Sequence, residues 1–116
     1  MFCNFGEIFT SNMQRIDKLK EYLQAQPNDS FLQHAMALEY IKLGDDAAAQ
    51  PLFENVLAHD LTYIGTYYHL AKLLERTGEK DKAIATYEKG MQHAKAARDM
   101  HAYNELQAAW EDLTDY

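Results

Sequence analysis

The fold is decided by residues 64–97, IGTYYHLAKLLERTGEKDKAIATYEKGMQHAKAA, which repeat the pattern of residues 30–63, SFLQHAMALEYIKLGDDAAAQPLFENVLAHDLTY. The two stretches are equally long and align without a gap. The matching positions are Met36-Ala37 with Leu70-Ala71, Gly44 with Gly78, Ala49 with Ala83, and Phe53 with Tyr87. A fixed period of this kind indicates a protein built from stacked repeats.

The pattern within each repeat predicts two helices. In the first half, core-type residues recur at i, i+3, i+4 and i+7, first as Gln33, Met36, Ala37 and Tyr40, then as Tyr67, Leu70, Ala71 and Leu74. A glycine then predicts the helix end, because glycine adopts the left-handed conformation of a C-cap without steric penalty. Acidic residues follow each glycine and favour the start of a second helix. In the second helices an alanine is followed four residues later by an aromatic residue, as Ala49 and Phe53, then Ala83 and Tyr87. This pairing predicts that the two helices of each repeat approach closely.

These residues resemble the tetratricopeptide repeat family, whose period of about 34 residues matches the spacing seen here. The resemblance covers residues 30–97, in two repeats at 30–63 and 64–97, and the signature residues are those aligned above. The sequence departs from the family pattern in three respects. Gln33 stands in place of a tryptophan, Gly90 in place of an alanine, and Leu61 and Lys95 in place of the closing proline.

The flanking segments are similar to incomplete repeats. Residues 13–27 have the pattern of a second helix that precedes the first full repeat, and they end at Pro27. Residues 99–114 carry an apolar stripe and no Lys or Arg, which is typical of a helix that caps the open end of a stack. Residues 1–12 fall outside the pattern. We expect them to be a loosely packed extension or to lie before the native start of translation.

The fold class predicted is therefore all-α. Six helices are expected at about 13–26, 30–43, 46–60, 63–77, 80–96 and 99–114. The domain should span residues 13–116 and form a short tetratricopeptide superhelix. It would comprise two full repeats, an N-terminal half-repeat and the C-terminal capping helix.

Composition and charge exclude several classes of function. The chain has 116 residues with 11 Lys and Arg against 18 Asp and Glu, so its formal net charge is −7. An acidic chain is a poor partner for nucleic acid or for an anionic membrane surface. The single cysteine, Cys3, permits no disulfide within the chain. Because the sequence shows neither a signal peptide nor a membrane span, we expect a cytoplasmic protein.

Motifs for catalysis, cofactors or metals are missing from the sequence. It contains no glycine-rich phosphate loop, nucleophile elbow or HExxH motif. Among the five histidines, His34 and His69 are the better candidates for function because they lie on first helices. The expectation is a protein that is not an enzyme and holds neither cofactor nor metal.

The resemblance implies a non-catalytic adaptor or scaffold that binds a peptide or a partner helix. In this family the first helices line a concave groove. The residues that match this position are Phe31, His34, Leu38, Ile41, Lys42, Tyr68, Lys72 and Arg76, with Glu75 beside them. Such a surface suits a segment with an apolar anchor and an acidic group. The alternative is that Phe31 and Ile41 pack against the N-terminal helix and that the cations are merely solvated.

Two further hypotheses concern the partner. One subset of the family binds the terminal carboxylate of chaperone tails through lysine, asparagine and arginine side chains. The matching positions here hold His34, Leu38, His69, Asp99 and Tyr103, which argues against that clamp. The second hypothesis is a self-assembling structural unit without a groove ligand, for example a homodimer in which the phenylalanines of residues 1–12 dock on a neighbouring copy.

Overall fold

The computed structural model describes residues 5–115, and the side chains of residues 11–115. Within this part of the chain there are six α-helices and no β-strand. The helices are α1 (Phe5–Ala25), α2 (Ser30–Lys42), α3 (Asp46–His59), α4 (Ile64–Arg76), α5 (Lys80–Ala96) and α6 (Met100–Thr114). The predicted all-α fold is confirmed.

The chain divides into two compact units, residues 1–59 and residues 60–116. In the first unit α2 packs along α3, and α1 packs against α2. In the second unit α5 packs against both α4 and α6, while α4 and α6 touch over a shorter length. No helix of the described residues is long and apolar enough to span a membrane.

Three aspartates cap the starts of helices, and one of them, Asp45, follows a glycine as the sequence predicted. The side chain of Asp29 accepts a hydrogen bond from the backbone N–H of Leu32 at 2.9 Å. Asp45 and Asp99 cap the first turns of α3 and α6 in the same way, at 3.0 and 3.1 Å. Each cap satisfies an N–H group that has no partner inside the helix, and a negative charge there is favoured by the helix dipole.

Three helices end in the same hydrogen-bonded cap. After α2 and α4 the residue in the left-handed conformation is a glycine, Gly44 with φ of 77° and Gly78 with φ of 82°. After α5 it is Arg98, with φ of 59°. Its N–H bonds to the carbonyl of Lys95, and the N–H of Asp99 bonds to the carbonyl of Ala94. This is the Schellman arrangement. It connects α5 to α6 tightly, although the sequence has no glycine at this helix end.

The small and aromatic residues of the repeats form the two cores. Ala49, Phe53 and Val56 of α3 are fully buried in the first unit. In the second unit Ala83 and Tyr87 of α5 are equally buried. The aligned pairs therefore have the structural role that their repetition predicted, since the alanine admits a close helix and the aromatic ring fills the space beside it.

Gly90 marks the closest approach of two helices in the second unit. A β-carbon added at this position would lie 2.6 Å from Cβ of Tyr67 and 3.1 Å from a methyl group of Leu106. The first of these atoms is fixed to the backbone and has no room to move away. Gly90 thus replaces the usual alanine because α4 lies too close to α5 for any side chain.

Three helix starts differ from the sequence prediction, and that of α4, at Ile64, does so by one residue. The predicted start of the first helix at residue 13 was wrong, because α1 begins at Phe5. The interval from residue 7 to residue 25 contains neither glycine nor proline, and apolar residues continue at helical spacing, so nothing ends the helix earlier. Residues 1–4, with Phe2 and Cys3, lie outside the described residues. The capping helix begins at Met100, one residue later than expected, with Asp99 as its N-cap.

Replacing Gly90 with alanine tests the close approach of α4 and α5. The gain in helix propensity is up to about 1 kcal/mol, whereas overpacking costs about 1–3 kcal/mol. We expect Gly90→Ala to lower the free energy of unfolding in urea titrations. Gly65→Ala is the matched control, because a β-carbon there meets no atom within 4 Å. Equal stability of the two variants would contradict the packing described above.

Exchanging residues at the caps of α4 and α5 should change stability in opposite directions. Arg98→Gly removes the steric cost of the left-handed conformation and should raise the free energy of unfolding by up to about 1 kcal/mol. Gly78→Ala introduces that cost and should lower it by about 1 kcal/mol. Thermal melts of both variants check this. A loss of stability in Arg98→Gly would show that the Arg98 side chain, and not the backbone conformation, dominates at this cap.

Candidate functional site

An aromatic and cationic cluster lies along one side of α4. The ammonium group of Lys72 lies 5.7 Å from the centre of the Tyr68 ring, one helical turn away. The rings of Tyr68 and His69 meet almost at right angles, with centres 5.7 Å apart. All three side chains are half-buried. A cation at this distance is attracted to the ring face, so the lysine and the tyrosine hold each other in place.

His69 faces charged groups from two helices. Burial lowers the pKa of its imidazole below the ordinary value, the carboxylate of Glu105 on α6 opposes this shift, and Arg76 adds to it. Glu105 and Arg76 are themselves exposed. The side of α4 that carries Tyr68, His69, Lys72 and Arg76 therefore meets α6 at Glu105. We call these five residues the α4–α6 face.

Glu75, which the sequence placed beside the groove residues, has a different role. Its carboxylate accepts a hydrogen bond from the hydroxyl of Tyr87, a fully buried residue of α5. The ammonium of Lys72 lies 3.7 Å from the same carboxylate. Burial, and then the hydrogen bond to Glu75, raise the pKa of the Tyr87 hydroxyl, which stays protonated as a donor. Glu75 thus joins α4 to α5 and orients Lys72.

The length of α5 determines which residue of α6 faces His69. Continuing the repeat period by one further step assigns Asp99 and Tyr103 to the positions of Gly65 and His69. Because α5 has 17 residues where α3 has 14, α6 begins two residues late relative to this period. Glu105 consequently takes the position beside His69, while Tyr103 lies on the side of α6 that meets α5. Sequence reasoning missed Glu105 because Arg98, and not a glycine, ends α5.

In the first unit, α2 presents a more apolar surface. Phe31 is 67% exposed at the start of the helix. Leu38 and Ile41 are half-buried further along. The ring of His34 packs at 5.6 Å, centre to centre, against Phe53 of α3. His34 therefore contributes one side of its ring to the hairpin core.

Lys42 and the buried Glu39 form a charged cluster at the end of α2. Lys42 donates a hydrogen bond to Oε2 of Glu39 at 3.1 Å. Arg15 of α1 lies 3.8 Å from Oε1, which lacks a hydrogen-bond partner. Two cations thus flank a carboxylate that is largely removed from water, which connects α1 to α2 electrostatically.

The structure brings the predicted site residues together within each unit. Tyr68, Lys72 and Arg76 share one side of α4, and none of the eight predicted residues is fully buried. Against the alternative of freely solvated cations, Lys42 and Lys72 are held in ion pairs. Phe31 is too exposed to be packed against α1, whereas Ile41 is partly covered. That a partner contacts these residues stays a prediction. Among the side chains described, no three of His, Cys, Asp or Glu cluster as metal ligands would.

Comparison with known proteins agrees with this architecture. Residues 40–109 match the sequence model described as tetratricopeptide repeat. The chain is similar to a tetratricopeptide repeat domain protein from Salinibacter ruber, whose solution NMR structure is 39% identical with a TM-score of 0.72. That match covers 76% of this chain and 89% of the other. The crystal structure of the Salinibacter ruber domain protein gives 38% identity and a TM-score of 0.72, over 75% of this chain and 98% of that one.

A more distant solved structure shares the fold. A protein from Bordetella parapertussis matches with a TM-score of 0.74 at 24% identity, over 84% of this chain and 85% of that one. Among the curated proteins, none matches significantly.

Acidification should destabilise the protein partly through His69. Because its pKa is lowered in the folded state, the unfolded chain binds more protons just below the ordinary value of 6.5. This contribution to stability is present above pH 6.5 and is lost as the pH falls through and below it. We expect the melting temperature to fall further between about pH 7.5 and about pH 5.5 in the wild type than in His69→Gln. Parallel losses in both proteins would show that the His69 environment does not disfavour its charge.

Proposed function

Because the chain belongs to the tetratricopeptide repeat family, we propose that it is a non-catalytic adaptor or scaffold that binds a peptide or a helix of another protein through its first helices, α2 and α4. Tetratricopeptide repeats generally mediate protein–protein interaction, and the family is generally non-catalytic. The observation that carries the proposal is the ordered Tyr68–Lys72 pair on the exposed side of α4.

The α4–α6 face combines an aromatic surface with two cations. Tyr68 supplies a large contact area with few rotatable bonds, so little conformational entropy is lost on binding. Arg76, one turn beyond Lys72, offers planar guanidinium donors that suit a carboxylate. Aromatic residues and arginine are the side chains that most often dominate binding energy at interfaces. The face therefore suits a segment that has an apolar or aromatic anchor followed by an acidic residue.

The ion pair between Lys72 and Glu75 leaves room for such a partner. The two charged groups are 3.7 Å apart and both are partly exposed. A pair of this kind contributes no more than about 1 kcal/mol in water. An acidic partner group can thus share Lys72 at small cost, while Glu75 keeps its hydrogen bond from Tyr87.

Glu105 argues against capture of a terminal carboxylate at this place. Its negative charge acts on His69, which occupies one of the positions of the tail-binding clamp, and repels a second carboxylate. The partner segment is then an internal peptide or a helix, with its acidic group directed at Lys72 and Arg76 and away from Glu105.

The apolar part of α2 supplies a second contact surface. Phe31 projects into solvent and is the most exposed of the large apolar side chains among the described residues. Leu38 and Ile41 are partly exposed on the same helix. We place the partner protein in the cytoplasm, and neither nucleic acid nor a membrane surface is part of the proposed function.

A double substitution tests the α4–α6 face. In Tyr68→Ala/Arg76→Glu the altered side chains are half-buried and exposed, so the fold should survive. Loss of two anchor residues should weaken partner binding at least about tenfold. Affinity capture from lysate of the source cells, with wild-type and variant baits side by side, measures the loss. The partner identified in this way is then titrated with purified protein by calorimetry.

A charge reversal elsewhere provides the control. Lys89 is exposed on α5, and Lys89→Glu makes the same change in net charge as Arg76→Glu. We expect Lys89→Glu to capture the partner like the wild type. If the double variant captures the same proteins as the wild type and has the same melting temperature, the α4–α6 face is not the working surface.

A further inference from the structure

A shallow apolar pocket of about 240 Å³ lies between α5 and α6 in the second unit. It is separate from the α4–α6 face. Its lining residues are Glu88, Met91, Gln92, Lys95, Tyr103 and Trp110. The indole N–H of Trp110 donates a hydrogen bond to Glu88 at 3.1 Å, which fixes one wall. Pockets for drug-sized ligands or cofactors measure about 300–1,000 Å³, so this one is suited to a single large side chain.

The pocket lies on the side of α6 that would normally meet a second helix. In α4 the core stripe contains Tyr67 and Leu74, and both are buried against α5. The corresponding residues of the α6 stripe are Tyr103 and Trp110, and both remain half-exposed. Within the described residues, α6 thus has the face of a first helix without the second helix that should cover it.

In the described part of the chain, helix α1 lacks the first helix that should cover one of its sides. It corresponds to a second helix, and Arg15 and Tyr22 occupy the positions that Ala49 and Val56 occupy in α3, one repeat period later. Ala49 and Val56 are fully buried in the first unit. In α1 the side chain of Arg15 is 57% exposed and Tyr22 is 51% exposed. The side of α1 that should meet a first helix is therefore uncovered among the described residues.

We propose that the pocket between α5 and α6 accepts Tyr22 of a second copy of this chain, so that α1 of one copy covers α6 of the next. The contact between Tyr67 and Gly90 in the second unit supports the register. Tyr103 is the counterpart of Tyr67, and Tyr22 occupies the repeat position of Gly90, two periods earlier in the chain. Because a tyrosine cannot approach as closely as Gly90 does, α1 would lie further from α6 than α5 lies from α4, and the Tyr22 ring would fill the space beside Tyr103 in the pocket.

Charge complementarity favours a second copy as the occupant. Helix α6 contains three acidic residues and no Lys or Arg, namely Glu105, Glu111 and Asp112. The exposed stretch 15–22 of α1 carries three basic side chains, Arg15, Lys18 and Lys20, against the acidic Asp17 and Glu21. In the pocket itself, Lys95 offers a partner for Glu21, which lies next to Tyr22. Long-range attraction between α1 and α6 thus acts together with the apolar contact.

The two surfaces in this contact differ, so the assembly is head to tail. Each copy has one exposed α1 side and one pocket. When two copies bind, one copy keeps a free pocket and the other keeps a free α1 side. Such a contact adds copies until the ring closes or the chain grows as a filament. The surface is different from the α4–α6 face, which leaves that face available to a separate partner.

Sedimentation analysis of the 116-residue chain and of three variants tests this proposal. Tyr22→Asp removes the inserted ring, and Tyr22 is exposed, so the fold should be retained. Met91→Arg blocks the pocket, and Gln92→Trp fills it from an exposed position in case Met91→Arg fails to fold. We expect wild-type mass to increase with concentration up to about 1 mM. Each variant should associate at least about tenfold more weakly.

Mixing the variants distinguishes insertion of Tyr22 into the pocket from a symmetric dimer in which each surface meets only its own counterpart. Tyr22→Asp keeps an intact pocket and Gln92→Trp keeps an intact Tyr22, so an equimolar mixture should form a one-to-one dimer that neither forms alone. A monomeric wild type, variants that associate like the wild type, or a mixture without dimers would each overturn the proposal.

Two further proteins serve as controls. Leu61→Asp alters another exposed apolar residue and should associate like the wild type. Tyr68→Ala/Arg76→Glu should also associate like the wild type, although it loses its captured partner. Failure of self-association is therefore distinguishable from failure of the α4–α6 face.

Discussion

The close approach of two helices in each hairpin is the constraint on which the rest of the structure depends. Backbones come this near only where one helix presents Ala or Gly and the other fills the adjacent space with an aromatic ring. In the second unit this contact is Gly90 against Tyr67, with room for no additional atom at the glycine. Because the contact joins the first turn of α4 to the C-terminal half of α5, it determines how far the two helices overlap. That overlap in turn directs the remaining residues of α4 to the exposed side.

The candidate site follows from this arrangement. Tyr67 is buried, so its neighbour Tyr68 points to the α4–α6 face, and Lys72 follows one turn later. Tyr87 performs two functions, since its ring fills the core and its hydroxyl holds Glu75, which then orients Lys72. The half-buried Lys72 and Tyr68 are thus positioned by buried groups, and little order remains to be acquired when a partner binds.

Much of the fold could be predicted from the sequence, because the repeat period indicates the helices and Gly44 and Gly78 mark the ends of two of them. The exceptions have physical causes. Arg98 adopts a conformation that usually indicates glycine, so the cap of α5 was not predicted, although α6 begins only one residue later than expected. Glu105 was missed because the repeat period assigned Tyr103, and not Glu105, to the position of His69. The start of α1 at Phe5 was missed because no residue in the sequence marks it. The hydrogen bond between Tyr87 and Glu75 was not predicted, because the two residues belong to no common sequence motif. Residues on exposed sides of α2 and α4 were found, but exposure alone does not reveal a partner.

The most direct test of the central claim is site-specific photo-crosslinking in source cells. A photoreactive phenylalanine analogue is placed at Tyr68 on the α4–α6 face and, in a second protein, at the exposed Lys89 on α5. If the ordered face of α4 is the working surface, position 68 yields a discrete crosslinked partner and position 89 yields none. Crosslinks to a partner from position 89 and none from position 68 would contradict the account.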